Sequence, residues 1–136
     1  MTIDEAQAEI LAEFDYLEDW LDKYQQLIDM GQTLPEGDAE LKQEKHLIHG
    51  CQSRVWIECR AEDGVLHFRA DSDAVITKGI VSLLLRIFDG HTPQEILATK
   101  LTVLDQIGLQ QHLSPTRANG LLAMVEQIYA YARQLQ

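Results

Sequence analysis

From Ala74 to Phe88 the chain passes through Ile76, Ile80, Val81, Leu83, Leu84, Leu85, Ile87 and Phe88, so a helix over this span is apolar nearly all round. Such a helix has no face to give to water. It must form the centre of a core, with other elements packed around it, and its flanks therefore decide the fold class.

Upstream the pattern is that of strands. Val55, Ile57 and Cys59 alternate with Trp56, Glu58 and Arg60; Glu62-Asp63-Gly64 follows, and a second run extends from Val65 to Ala70. Asp-Gly between two such runs signals a tight antiparallel hairpin. Trp56 is expected to pack within the sheet. Asp71-Ser72-Asp73 then offers N-caps for the apolar helix.

The outer parts of the chain are helical in period. Thr2-Ile3-Asp4-Glu5 has the form of a capping box, and Ile3, Ala6, Ile10, Phe14, Leu17, Leu21, Tyr24 and Ile28 recur at three- and four-residue steps, predicting one helix to about residue 30 with Gly31 as its C-cap. Thr92-Pro93-Gln94-Glu95 predicts another helix start, and Ser114-Pro115 opens a closing amphipathic helix through Ala118, Leu121, Leu122, Val125, Ile128, Tyr129, Ala132 and Leu135. The order helix, two or three antiparallel strands, then several helices implies an α+β fold in which helices cover a small antiparallel sheet.

A chain of 136 residues fits a single domain, residues 1–136, that buries about two thirds of its unfolded surface and needs neither disulfide nor metal to fold. No apolar run approaches the roughly 20 residues of a membrane span, and Met1-Thr2-Ile3-Asp4-Glu5 lacks the basic start of a secretion signal. The two cysteines lack a CxxC spacing. Free thiols in a soluble, cytoplasmic protein are expected.

Charge is unevenly placed. Residues 1–40 hold twelve acidic side chains against one basic one, Lys23, so the formal net charge of −11 resides there and the rest of the chain balances. Such a field repels phosphate backbones, which argues against nucleic-acid binding, and would draw a basic protein surface.

The chemistry is concentrated around Cys51. It lies in Ile48-His49-Gly50-Cys51-Gln52-Ser53, beside a glycine whose freedom lets another molecule approach, between the helical half and the first strand. Three chemistries suit a thiol in such a place. His46, His49 and Cys51, with Cys59 and His67 nearby in sequence, could contribute to a metal site or cluster scaffold, although structural zinc wants four placed ligands. A hydrolase would pair Cys51 with a histidine base such as His49. Thiol-sulfur exchange asks least: one accessible thiolate, helped by positive charge from His49, Arg54 or a partner. Cys59, alternating with Val55 and Ile57, is expected to be a buried strand residue.

His49-Gly50-Cys51-Gln52-Ser53 followed by Val55-Trp56 resembles the central motif of the SufE family, the sulfur acceptors of iron-sulfur cluster assembly that include the CsdE proteins. Three more blocks agree in order. They are Tyr24-Gln25-Gln26-Leu27-Ile28-Asp29-Met30-Gly31 with Leu34-Pro35, Asp71-Ser72-Asp73-Ala74 with Lys78-Gly79, and Ser114-Pro115-Thr116-Arg117-Ala118-Asn119-Gly120-Leu121.

The resemblance implies a fold similar to the IscU-type scaffold, with an acceptor cysteine in place of a cluster-ligand set. Cys51 would take sulfur from the persulfide of a pyridoxal-phosphate cysteine desulfurase of SufS or CsdA type, stimulate that enzyme, and pass the sulfur to a cluster scaffold complex. On this likeness the protein is a sulfur-transfer partner rather than an enzyme, acting as a monomer or homodimer, and has no cofactor of its own. Gly50 would supply hinge freedom to a turn that folds into an apolar pocket and swings out on docking. His49, Gln52 and Ser53 flank the thiol, and Asp71, Asp73 and Arg117 would brace the surrounding face unless the two acids only cap the helix.

Overall fold

Asp63 and Gly64, with φ of 55° and 79°, turn the chain back sharply and pair β1 (Val55–Glu62) with β2 (Val65–Ser72) in one antiparallel ladder running from Val55 opposite Ser72 to Glu62 opposite Val65. Positive φ at both central residues is what a type I′ hairpin requires. This is a computed structural model, and it describes residues 1–136. The two strands are the whole sheet. Seven helices accompany it: α1 (Ile3–Asp15), α2 (Trp20–Gln32), α3 (Val75–Phe88), α4 (Pro93–Ala98), α5 (Val103–Gln106), α6 (Leu109–His112) and α7 (Pro115–Gln134). One 3-10 turn, Glu44–His46, lies between α2 and β1.

The α+β expectation is met, with α3 at the centre. Thr77 and then every residue from Gly79 to Phe88 except Arg86 are buried, and α1, α2, β2 and α7 all pack on this helix. β2 gives it Leu66, Phe68 and Ala70, the alternate residues of one sheet face. α1 contributes Ile3, Ala6, Ile10 and Phe14, and α7 contributes Leu121, Met124, Ile128 and Ala132. Fully burying each large apolar side chain is worth roughly 1.5–3 kcal/mol, so this one cluster is the main stabilising element. No helix is long and apolar enough to cross a membrane.

The capping boxes at Thr2 and Thr92 form as their sequences predict, and Ser114 caps α7 by accepting from the Arg117 N–H at 3.3 Å. Three local expectations are corrected. The first helix is two: α1 stops at Asp15, and the Asp19 carboxylate caps α2 by accepting from the Asp22 N–H at 2.9 Å. Gly31 lies within α2, whose C-cap is Thr33. Neither Asp71 nor Asp73 caps α3; the N-cap is Ala74, whose own N–H donates to the Ser72 hydroxyl at 3.3 Å.

The acidic N-terminal part is partly neutralised within the fold. Arg86 of α3 donates to Glu9 at 2.5 Å and to both carboxylate oxygens of Glu13, while Arg69 of β2 bonds Asp38 at 3.1 Å and Glu58 at 2.9 Å. Trp56 is 8% exposed and is packed in the sheet, with the Lys42 ammonium 5.6 Å from its ring centre.

Candidate functional site around Cys51

Residues 49–54 form a loop whose two ends are tied together. The Ile48 N–H donates to the Val55 carbonyl at 2.8 Å, and Leu47 bridges to Trp56, so the loop leaves and rejoins the sheet at one place. Its outgoing end is clamped at Arg54. The Arg54 N–H donates to the Asp73 carboxylate at 3.0 Å, and the Arg54 carbonyl accepts from the Ser72 hydroxyl at 2.8 Å and the Asp73 N–H at 3.2 Å. Between these anchors Gly50 has φ of 95°, a conformation that favours glycine.

Cys51 itself is half-buried and leans on α7. Its thiol donates to the Gly120 carbonyl at 3.7 Å. With Gln52, Ser53, Thr77, Ile80, Thr116, Arg117, Gly120 and Met124 it lines a cavity of about 10 Å³. A space of this size admits roughly one water-sized atom. Burial raises the Cys51 pKa above the ordinary thiol value, so in this pose the sulfur is held as neutral S–H.

The predicted residues divide by location. Gln52, Ser53 and Arg117 line the same cavity as Cys51, and His49 is exposed on the same loop. Asp73 acts on the loop through Arg54, as a brace. Asp71 braces a different segment. Its carboxylate, 2% exposed as a residue, accepts from the N–H of Gly37 and of Ser72, each at 2.8 Å, and lies 3.2 Å from Lys78 and 3.5 Å from Lys42. Burial alone would raise its pKa, but the two N–H groups and the Lys78 ammonium outweigh burial and hold the carboxyl below its usual range.

His46 does not join Cys51. Its Nδ1 pairs with the Leu41 carbonyl at 2.9 Å and its Nε2 lies 3.8 Å from Glu58. No three His, Cys, Asp or Glu side chains come together as a metal-holding group, and no histidine hydrogen-bonds Cys51. Cys59 is only half-buried and borders a polar hollow with Glu40, Lys45, His46, Glu58, Arg60 and Arg69. Burial, then the charges of Asp89 and Glu58, push its thiol up to about 12.

Sequence reasoning passed over Thr77, Ile80 and Met124, which give the cavity its inner wall, and the role of Gly120 in the closing helix. One signal for Gly120 was available. A glycine inside a helical pattern weakens the helix, and its presence often marks a close approach by another part of the chain. The approach here is by Cys51: a Cβ on Gly120 would stand 3.1 Å from the sulfur and 3.4 Å from the Cys51 Cα.

Comparison with known proteins adds a family and a fold. The family model described as SufE, Fe-S metabolism associated domain, matches residues 8–132. A SufE-like protein of Rhizobium meliloti (strain 1021) is 38% identical over 131 residues, with 91% of this chain and 92% of that protein covered. The solution structure of a hypothetical protein from Thermus thermophilus superposes with a TM-score of 0.78 at 22% identity, covering 96% of this chain and 95% of that one. The last comparison shows a shared fold.

Proposed function

The chain belongs to the SufE family of Fe-S metabolism associated domains, and on that premise we propose that it is a single-domain sulfur acceptor and carrier whose working atom is the Cys51 sulfur. In this reading the Cys51 thiolate attacks the outer sulfur of a persulfide held by a cysteine desulfurase. A new S–S bond forms at Cys51, the donor's S–S bond breaks, and the donor cysteine leaves as a thiolate. The carrier then holds one sulfane sulfur and surrenders it by the same exchange to a thiol of a cluster scaffold. Pyridoxal phosphate belongs to the desulfurase, which the carrier stimulates by clearing its persulfide. The setting is the reducing cytoplasm, where a persulfide exposed to small thiols would be reduced.

The observation that carries this reading is the cavity. Cys51 is tucked against Gly120, Ile80 and Met124 with space for about one more atom, on a loop whose ends are anchored and whose middle has a glycine in a left-handed conformation. A thiol that must be shielded when loaded and presented when docked requires these features. A hydrolase would need a histidine within hydrogen-bond reach of the sulfur, and a metal module a cluster of ligands. Neither arrangement surrounds Cys51. Arg54, exposed on the loop, supplies positive charge for a thiolate that has left the cavity.

Intact mass spectrometry after mixing with a cysteine desulfurase and L-cysteine tests the proposal. The expected result is a gain of sulfur that maps to Cys51, is reversed by reductant, is abolished in Cys51→Ser and is retained in Cys59→Ser. Equal loss of sulfur in both variants would overturn it.

A further inference from the structure

We propose that Gly120 is a positioning residue for sulfur transfer: the absence of a side chain there, with its carbonyl facing the thiol, lets Cys51 retract in its neutral form and couples ionisation to extension of the loop. The inference rests on the carrier reading and concerns how the same sulfur is gated. A Cβ on Gly120 would meet the Cys51 sulfur at 3.1 Å, its Cα at 3.4 Å and its Cβ at 3.5 Å, so the whole residue lies against this one position of α7. The loop is the side that can yield. Gly120 is buried in a 20-residue helix, whereas a Cβ added to Gly50 would meet nothing closer than the Ala123 Cβ at 3.9 Å.

The carbonyl makes the seat selective. A carbonyl oxygen accepts from S–H but repels S⁻, and the Cys51 S–H donates to this one at 3.7 Å. The other wall residues are mainly uncharged: α3 offers Thr77 and Ile80, and α7 offers Thr116, Met124 and a single cation, Arg117. On the loop itself His49 and Arg54 are exposed, and the Asp73 carboxylate is engaged by the Arg54 N–H. Arg117 is the only cation lining the seat, and no amide or hydroxyl of Gln52, Ser53, Thr77 or Thr116 hydrogen-bonds the sulfur, whose one partner is the Gly120 carbonyl. A thiolate is therefore expelled toward solvent and toward a docking partner, and a neutral thiol returns.

Alkylation by iodoacetamide reads the seat directly, because only the thiolate displaces iodide. The full chain carrying Cys59→Ser reports Cys51 alone by mass. Gly120→Ala should alkylate several-fold faster at pH 7, with the midpoint of its pH-rate profile lowered toward that of a free thiol, and Gly120→Val should go further. Asn119→Ala, exposed on the same helix, should match the parent. A purely structural glycine predicts only altered thermal stability, since alanine favours a helix interior over glycine. An unchanged rate and midpoint in folded Gly120→Ala would overturn the inference. Should that variant not fold, the parent chain decides: its midpoint must lie above that of the same chain unfolded in urea, and equal midpoints would also overturn it. No sulfur donor is present in this assay. Failure of Cys51 to accept sulfur would sink the carrier reading and leave the alkylation result standing, and the reverse is equally visible.

Discussion

Gly31 and Gly79 face one another where α2 crosses α3, so closely that a Cβ on Gly31 would stand 2.9 Å from the Gly79 nitrogen and one on Gly79 would stand 2.0 Å from the Leu27 carbonyl oxygen. The neighbours are backbone and cannot rotate away. Helix axes usually lie 8–10 Å apart according to the side chains between them, and here backbone meets backbone. The same crossing is fixed by the Ser82 hydroxyl, which donates to the Met30 carbonyl at 2.9 Å.

Gly79→Ala is accordingly expected to cost about 3 kcal/mol or more, at the upper end of overpacking effects. Urea denaturation checks this, and a midpoint equal to wild type would contradict the close-crossing account. The effect should reach Cys51, because α3 also carries Thr77 and Ile80 into its cavity.

Asp71 predicts an acid limb to stability. Its carboxyl is held below the usual range in the folded protein, so it contributes stability that is fully present above the unfolded value, about pH 4, and is lost as pH falls through the lower folded value. Asp71→Asn should be less stable than wild type at pH 7, and the gap should narrow below about pH 4. Asp71→Ala should cost roughly 3–5 kcal/mol, because Lys78 and the Gly37 and Ser72 N–H groups lose their partner. Thermal melts from pH 3 to 8 would show both, and parallel pH profiles for Asp71→Asn and wild type would refute the assignment.

Cys59 is expected to be inert at neutral pH. With its thiol pushed up to about 12, it carries almost no thiolate, and alkylation of native Cys51→Ser should be negligible at pH 7. The sign for stability is the opposite of that for Asp71. A raised thiol pKa favours the fold below the unfolded value near 8.5, and this contribution is lost as pH climbs from there toward 12. Wild type should therefore lose stability in that alkaline window faster than Cys59→Ser does. Rapid labelling of Cys59 in the folded Cys51→Ser protein would show that the thiol is not suppressed.

The parts of the fold legible in the sequence were those specified by local chemistry. The all-round apolar run 74–88, the Asp63-Gly64 turn and the Thr2 and Thr92 boxes each carry their own physical instruction, and each forms. The break at residues 16–19 was hidden because α1 and α2 both bury a face, through Ile10 and Phe14 and through Leu27 and Met30, and the helical period continues across the gap. Asp71 and Asp73 have the composition of caps, yet their carboxylates bond Gly37 and Arg54, partners 34 and 19 residues away that no local pattern announces. For the site, the sequence pointed to the loop and its sulfur. The wall of the cavity comes from α3 and α7, and that meeting is a tertiary fact, visible beforehand only as an unexplained glycine at position 120.

The bond between Ile48 and Val55 makes the loop a short tether with both ends at one post. Cys51 is three residues from Ile48, and an extended chain advances about 3.3–3.6 Å per residue, so while the post holds, its backbone can travel roughly 10 Å from it and no farther. On the proposed carrier role, delivery across a wider gap would be impossible for this arm, and a donor would have to bring its own cysteine down to the surface beside α7.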